Sequence, residues 1–123
     1  MRVLRLAFLF AILGMAARAI DVSGNWSGKT KISVDGKVEE DTVYLSLKQT
    51  ANIITGTAGP SLDVQNPIST GKIEGNRIVL EVPVPGGTFK FDMNLEGEHL
   101  KGDVIANAQG QTIKAQMDAV RVK

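Results

Sequence analysis

The chain has 123 residues, with 14 Lys and Arg against 13 Asp and Glu, one His and no Cys. That length allows one domain and hardly two, and the lack of Cys excludes a disulfide framework, a thiolate zinc site and a Cys nucleophile. A formal charge of +1 and an aromatic content of 5% exclude the basic, stacking-rich surface that nucleic acid requires.

The first residues read as an export signal. Arg2 and Arg5 precede an apolar run from Leu6 to Ala17, about a dozen residues where a bilayer-spanning helix needs about 20. Ala17-Arg18-Ala19 puts small residues at the two positions that signal peptidase reads, so cleavage is expected after Ala19. Residues 1–19 are therefore expected to be a signal peptide, and residues 20–123 a single exported domain, periplasmic or secreted, with no membrane span. No Cys lies near the cut, so a lipid anchor is not expected. Removal of Arg2, Arg5 and Arg18 leaves 11 basic against 13 acidic side chains. An exported chain without disulfides must be held by its core and its backbone ladder.

Beyond the cut, period-two alternation recurs and helical periodicity does not. In Thr88–Glu96, Phe89, Phe91, Met93 and Leu95 point one way, while Thr88, Lys90, Asp92, Asn94 and Glu96 point the other. Val43, Leu45 and Leu47 alternate in the same manner, as do Ile78, Leu80 and Val82, and Ile113, Ala115 and Met117. Asp35-Gly36, Gly75-Asn76, Gly86-Gly87, Glu96-Gly97 and Gln109-Gly110 supply turns about ten residues apart. Strands are expected near 25–34, 41–49, 53–59, 67–74, 77–84, 88–96, 99–108 and 111–122. Pro83 and Pro85 lack a backbone donor, so the fifth strand is expected to leave the sheet near Val82. Gly56 and Gly102 stand at matching points of two strands and read as bends or close backbone approaches. The longest gap, Pro60 to Asn66, is too short for a Greek-key crossing. The expected fold is all-β, an eight-stranded antiparallel up-and-down barrel whose closure removes exposed edges.

Gly24-Asn25-Trp26, opening the first strand of such a meander, resembles the calycin superfamily of lipocalin-like and streptavidin-like barrels. Together with Leu45-x-Leu47-x-Gln49, Ile54-Thr55-Gly56-Thr57 and Leu100-Lys101-Gly102, it is also similar to small uncharacterised exported bacterial domains, some attached to hydrolases. The resemblance covers nearly all of residues 21–122 and implies that Trp26 closes one end of the core. The polar biotin-contacting set of the streptavidin branch has no counterpart on the inward phase.

No catalytic constellation emerges. His99 beside Gly97-Glu98 reads as a solvated turn residue, and as a general base it needs a nucleophile and an orienting carboxylate that spacing alone does not place. Gly24-Asn25-Trp26-Ser27-Gly28 is not a nucleophile elbow, because its serine is displaced and lies in a strand. The glycines are spread singly through hairpins, so no phosphate loop forms. Asp35 with Glu39-Glu40-Asp41 lacks the ligand spacing of a calcium loop and reads as a solvated acidic hairpin in the first loop. No metal and no cofactor is expected.

The interior offers the candidate site. The seventh strand directs Leu100, Gly102, Val104, Ala106 and Ala108 inward, and the eighth adds Ala115 and Ala119. Either these small residues leave an apolar pocket lined by Trp26, Phe89, Phe91, Met93, Ala106 and Met117, or the large side chains fill the space as a taper. The inward phase is read as free of charge, so a ligand held there is expected to be apolar and uncharged. The expectation is a non-enzymatic binding module for such a ligand or for an exported protein partner. The alternative is a barrel resembling periplasmic protease inhibitors, with Ile20–Ser23 as the segment that enters the protease.

Overall fold

Alternation along each strand decides which side chains are enclosed. The computed structural model describes residues 21–122; the expected signal peptide lies outside the described residues. The strands are β1 (Gly24–Val34), β2 (Lys37–Thr50), β3 (Ile53–Gly59), β4 (Asn66–Pro67), β5 (Thr70–Glu74), β6 (Arg77–Val84), β7 (Gly87–Glu96), β8 (His99–Ala108) and β9 (Gln111–Val122). β4 and β5 are two pieces of one stave, so eight staves run antiparallel in chain order. β1 pairs with β9 from Asn25↔Val122 to Lys31↔Gln116, and this pairing closes the barrel. The expected architecture is the one that forms.

The inward register is the one that the alternation predicts. On β7, Phe91 and Met93 are buried, and their cross-strand partners Leu80 and Ile78 on β6 are fully enclosed. Leu45, Leu47, Leu100, Met117 and Ala119 complete the same core. Gly102 faces Met93 on β7, and a Cβ there would collide with the Asp92 carbonyl; Gly56, at φ 132°, would collide with the Ser46 carbonyl of β2. Both glycines therefore mark the expected close backbone approaches. The outer face carries most of the charges. Arg77 Nε and Nη2 reach the Asp92 carboxylate at 3.0 and 2.8 Å, and this fork, more than any other contact, holds the Asp92 carboxyl below the usual carboxylate range.

Four local expectations are corrected. The fourth strand is not continuous over 67–74. Pro67 has no donor, Ile68 N donates to the Gly56 carbonyl on β3 (2.9 Å), and Ser69 N donates to the Glu81 carbonyl on β6 (2.8 Å). The stave thus switches neighbours in mid-course, and β3 and β5 share only the pair Ile53↔Lys72. Secondly, β6 does not leave the sheet at Val82, since Pro83↔Thr88 and Val84↔Gly87 extend its ladder with β7. The Ser69–Glu81 bond shows that residues in the phase of Glu81 aim their polar groups toward the β5 side. The donor that Pro83 lacks would point there, past the last β5 pair at Thr70↔Glu81. Thirdly, the second strand starts four residues before the expected 41, so Glu39 and Glu40 are strand rather than loop: β2 begins at Lys37 and pairs with β1 from Lys37 to Leu47. Cross-strand contacts of Glu40 with Lys29 (3.9 Å) and Lys31 (3.6 Å) accompany the extension. Pairing of β2 with β3 starts only at Tyr44↔Gly59, so the β1–β2 ribbon stands beyond the barrel rim. Lastly, His99 is not a turn residue; it opens β8, paired with Glu96 and Val120.

Phe91→Ala removes a buried ring and should cost about 3–5 kcal/mol, whereas Lys90→Ala on the outer face should stay within about 0.5 kcal/mol of the parent. Urea denaturation measures both, and equal midpoints with equal slopes would show the inward register to be wrong.

Candidate functional site

The two ends of the barrel differ. At the end that holds the β2–β3, β5–β6 and β7–β8 turns, Trp26 is enclosed, with 1% of its surface exposed. Leu45 and Arg121 are its cross-strand partners. The Arg121 guanidinium lies 4.5 Å from the centroid of the Trp26 ring, a cation–π stack. Its Nη1 donates to the Ser23 carbonyl at 2.6 Å, its Nη2 to the Asp21 carbonyl at 3.1 Å and its Nε to Glu98 at 3.1 Å. The indole Nε1 donates to the Val22 carbonyl at 3.0 Å. Val22 is fully buried, and its N–H donates to the Gln49 side chain at 3.0 Å. Residues 21–23 are thus a strap across this end. The Ser23 backbone N–H, then its hydroxyl, then the Arg121 charge hold the Asp21 carboxyl below its ordinary range.

At the other end the barrel is hollow. A cavity of about 460 Å³ opens between the β1–β2 ribbon, the 60–65 loop and the β6–β7 and β8–β9 turns. Val82, Phe89, Phe91, Val104, Ala106 and Ile113 form its apolar wall. On the opposite side Thr30, Asp41 and Asn66 border it. Its volume lies within the roughly 300–1,000 Å³ typical of small-molecule sites. Gln65 fixes the neighbouring loop: its amide oxygen accepts from Thr57 Oγ1 (2.7 Å), and its amide nitrogen donates to the carbonyls of Ser61 (2.9 Å) and Tyr44 (3.3 Å). Leu62 and Val64 on that loop stay exposed at 77% and 54%.

The six expected pocket residues divide between the ends. Phe89, Phe91 and Ala106 line the cavity. Trp26, Met93 and Met117 do not; they are packed in the core at 1%, 0% and 4% exposure. Pocket and taper are therefore both present, stacked along one axis. The inward phase is not free of charge, which corrects the sequence reading. The odd phase of β9 that buries Met117 and Ala119 continues to Arg121, and the odd phase of β2 that buries Val43 and Leu45 runs outward through Asp41 to Glu39 and Lys37 on the projecting ribbon. The signal was visible as an extension of each alternation by one step, but nothing in a linear pattern says where the barrel stops. His99 and Asp118 meet on the outer wall, Nδ1 to Oδ1 at 2.8 Å, and neither borders the cavity. Among the described residues, no group of three or more His, Asp or Glu is arranged to hold a metal ion, and no helix is long and apolar enough to cross a membrane.

Arg121→Met keeps an apolar stem over Trp26 but removes the donors to Ser23 and Asp21. It should cost about 1–3 kcal/mol and shift the emission of the only tryptophan to the red as the strap loosens. Unchanged emission and an unchanged denaturation midpoint would show that the guanidinium does not hold this end.

No protein-family model and no curated protein matches the chain. Among solved structures it is similar to the crystal structure of Rv2717c from M. tuberculosis, at 13% identity and a TM-score of 0.44, covering 83% of this chain and 93% of that one.

Proposed function

We propose that this protein is an exported, non-enzymatic binding module of calycin type, which takes a small, predominantly apolar molecule into the open end of its barrel. The observation that carries this reading is the cavity of about 460 Å³ walled by Val82, Phe89, Phe91, Val104 and Ala106. Such a wall offers burial and no reacting group. A ligand gains about 25 cal/mol for each Å² of apolar surface it removes from water, set against association costs of several kcal/mol. Affinity of order micromolar or weaker follows. The sealed opposite end leaves the mouth as the way in. A protease-inhibitor role would need Ile20–Ser23 as a projecting arm, and the strapping of Asp21–Ser23 by Gln49 and Arg121 gives that alternative no support.

Export rests on Arg2, Arg5, the apolar run and Ala17-Arg18-Ala19. N-terminal sequencing of material from outside the cytoplasm should read Ile-Asp-Val-Ser; an intact Met1 chain in the membrane fraction would refute it. Binding is tested with the neutral fluorescent probe N-phenylnaphthylamine. The parent protein should enhance its emission, and Ala106→Leu should abolish the enhancement with an unchanged circular dichroism spectrum. Absence of enhancement by the parent would remove the cavity as a ligand site.

A further inference from the structure

Apolar side chains line the cavity from β6 through β9 and also from Ile32, Val43 and Ala58 on β1 to β3, whereas its polar border, the side chains of Thr30, Asp41, Thr42 and Asn66, belongs to β1, β2 and β4. That border carries one charge, Asp41, which lies opposite Thr30 on β1 and one inward step beyond Val43. The phase of β2 turns its carboxylate to the same face as Val43 and Leu45. No Lys, Arg or His borders the cavity. The nearest bases along β1, Lys29 and Lys31, occupy the outer face and are engaged by Glu40 there, at 3.9 and 3.6 Å. Further out on the inner face of the ribbon stand Glu39 and, at the hairpin end, Lys37. The mouth thus presents a carboxylate with no ion-pair partner among the described residues, against a low-dielectric wall that lets its field reach into the opening.

We infer that the cavity selects amphiphilic amines: an apolar body lies against Phe89, Phe91 and Val104, and a protonated amino head stays at the mouth on Asp41. This inference rests on the binding function proposed above and corrects the expectation of an uncharged ligand. An amine head needs no burial here, since Asp41 is exposed; the head keeps much of its water while the tail loses its own. An anionic head of the same size meets repulsion in the same place.

The test uses the exported protein loaded with N-phenylnaphthylamine and displaces the probe with octylamine, octanol or octanoate near pH 7 at low salt. Octylamine should displace the probe at about threefold lower concentration than octanol, and octanoate should need about threefold more, the range expected of one partly exposed ion pair. Added salt should shrink both differences. Asp41→Asn should abolish the ranking, bringing octylamine and octanoate to the concentration that octanol needs, while Glu81→Gln, which removes an acid from the outer wall, should preserve it. Equal displacement by all three compounds overturns the inference, as does a ranking that survives Asp41→Asn or is lost equally in Glu81→Gln; in those cases the cavity still binds apolar molecules. Failure of the probe to bind the parent protein overturns the binding function itself, and the inference with it.

Discussion

Closing eight staves into a barrel sets the width of the interior, and the inward side chains then decide how much of that width is filled. Along this barrel they are unequally sized. Near the strap, Trp26, Ile54, Ile78, Met93 and Leu100 are all at most 1% exposed, and the interior there is solid. Toward the other end the inward positions pass to Ala58, Ala106 and Ala115, which border the cavity. Small residues on three staves leave a void that the rings of Phe89 and Phe91 border and do not close. The same alternation thus builds a stability-bearing plug and a receptive mouth, and changes to one end need not disturb the other.

Charge follows the same axis. Most ionised side chains stay on the outer wall, where pairs such as Arg77–Asp92 and Lys114–Asp103 bridge neighbouring staves. Inward-phase charges stand only toward the two ends among the described residues, Arg121 at one and Asp41, with Glu39 and Lys37 beyond it, at the other, where water or polar backbone is within reach. Arg121 is kept there because carbonyls of the strap and the face of Trp26 satisfy it. Asp41 is kept there by solvent alone. A charge one or two steps deeper in either strand would face a desolvation cost of several kcal/mol with no partner to offset it. Position along the strand therefore converts a side chain that would be damaging in the core into a clamp at one end and a recognition group at the other.

The sequence by itself determined the fold class, most of the strands and turns, and the side that the core side chains face. Alternation has a period of two and needs only neighbours, so residues 53–59 and 111–122 could be read with their observed bounds. Glycines at Gly36 and Gly110, with φ of 79° and 77°, mark turns for an equally local reason. Tertiary structure decided what no local pattern contains. Pro83 stays in the ladder because β5 has already ended beside it. Glu39 and Glu40 are strand because β1 runs alongside them. His99 has a carboxylate partner because β9 places Asp118 next to it, and Phe89 borders a cavity while Met93, four residues on in the same phase, is sealed in the core. Each of these depends on how far a neighbouring stave extends, a quantity set by closure of the whole barrel and not by the residues of any one strand.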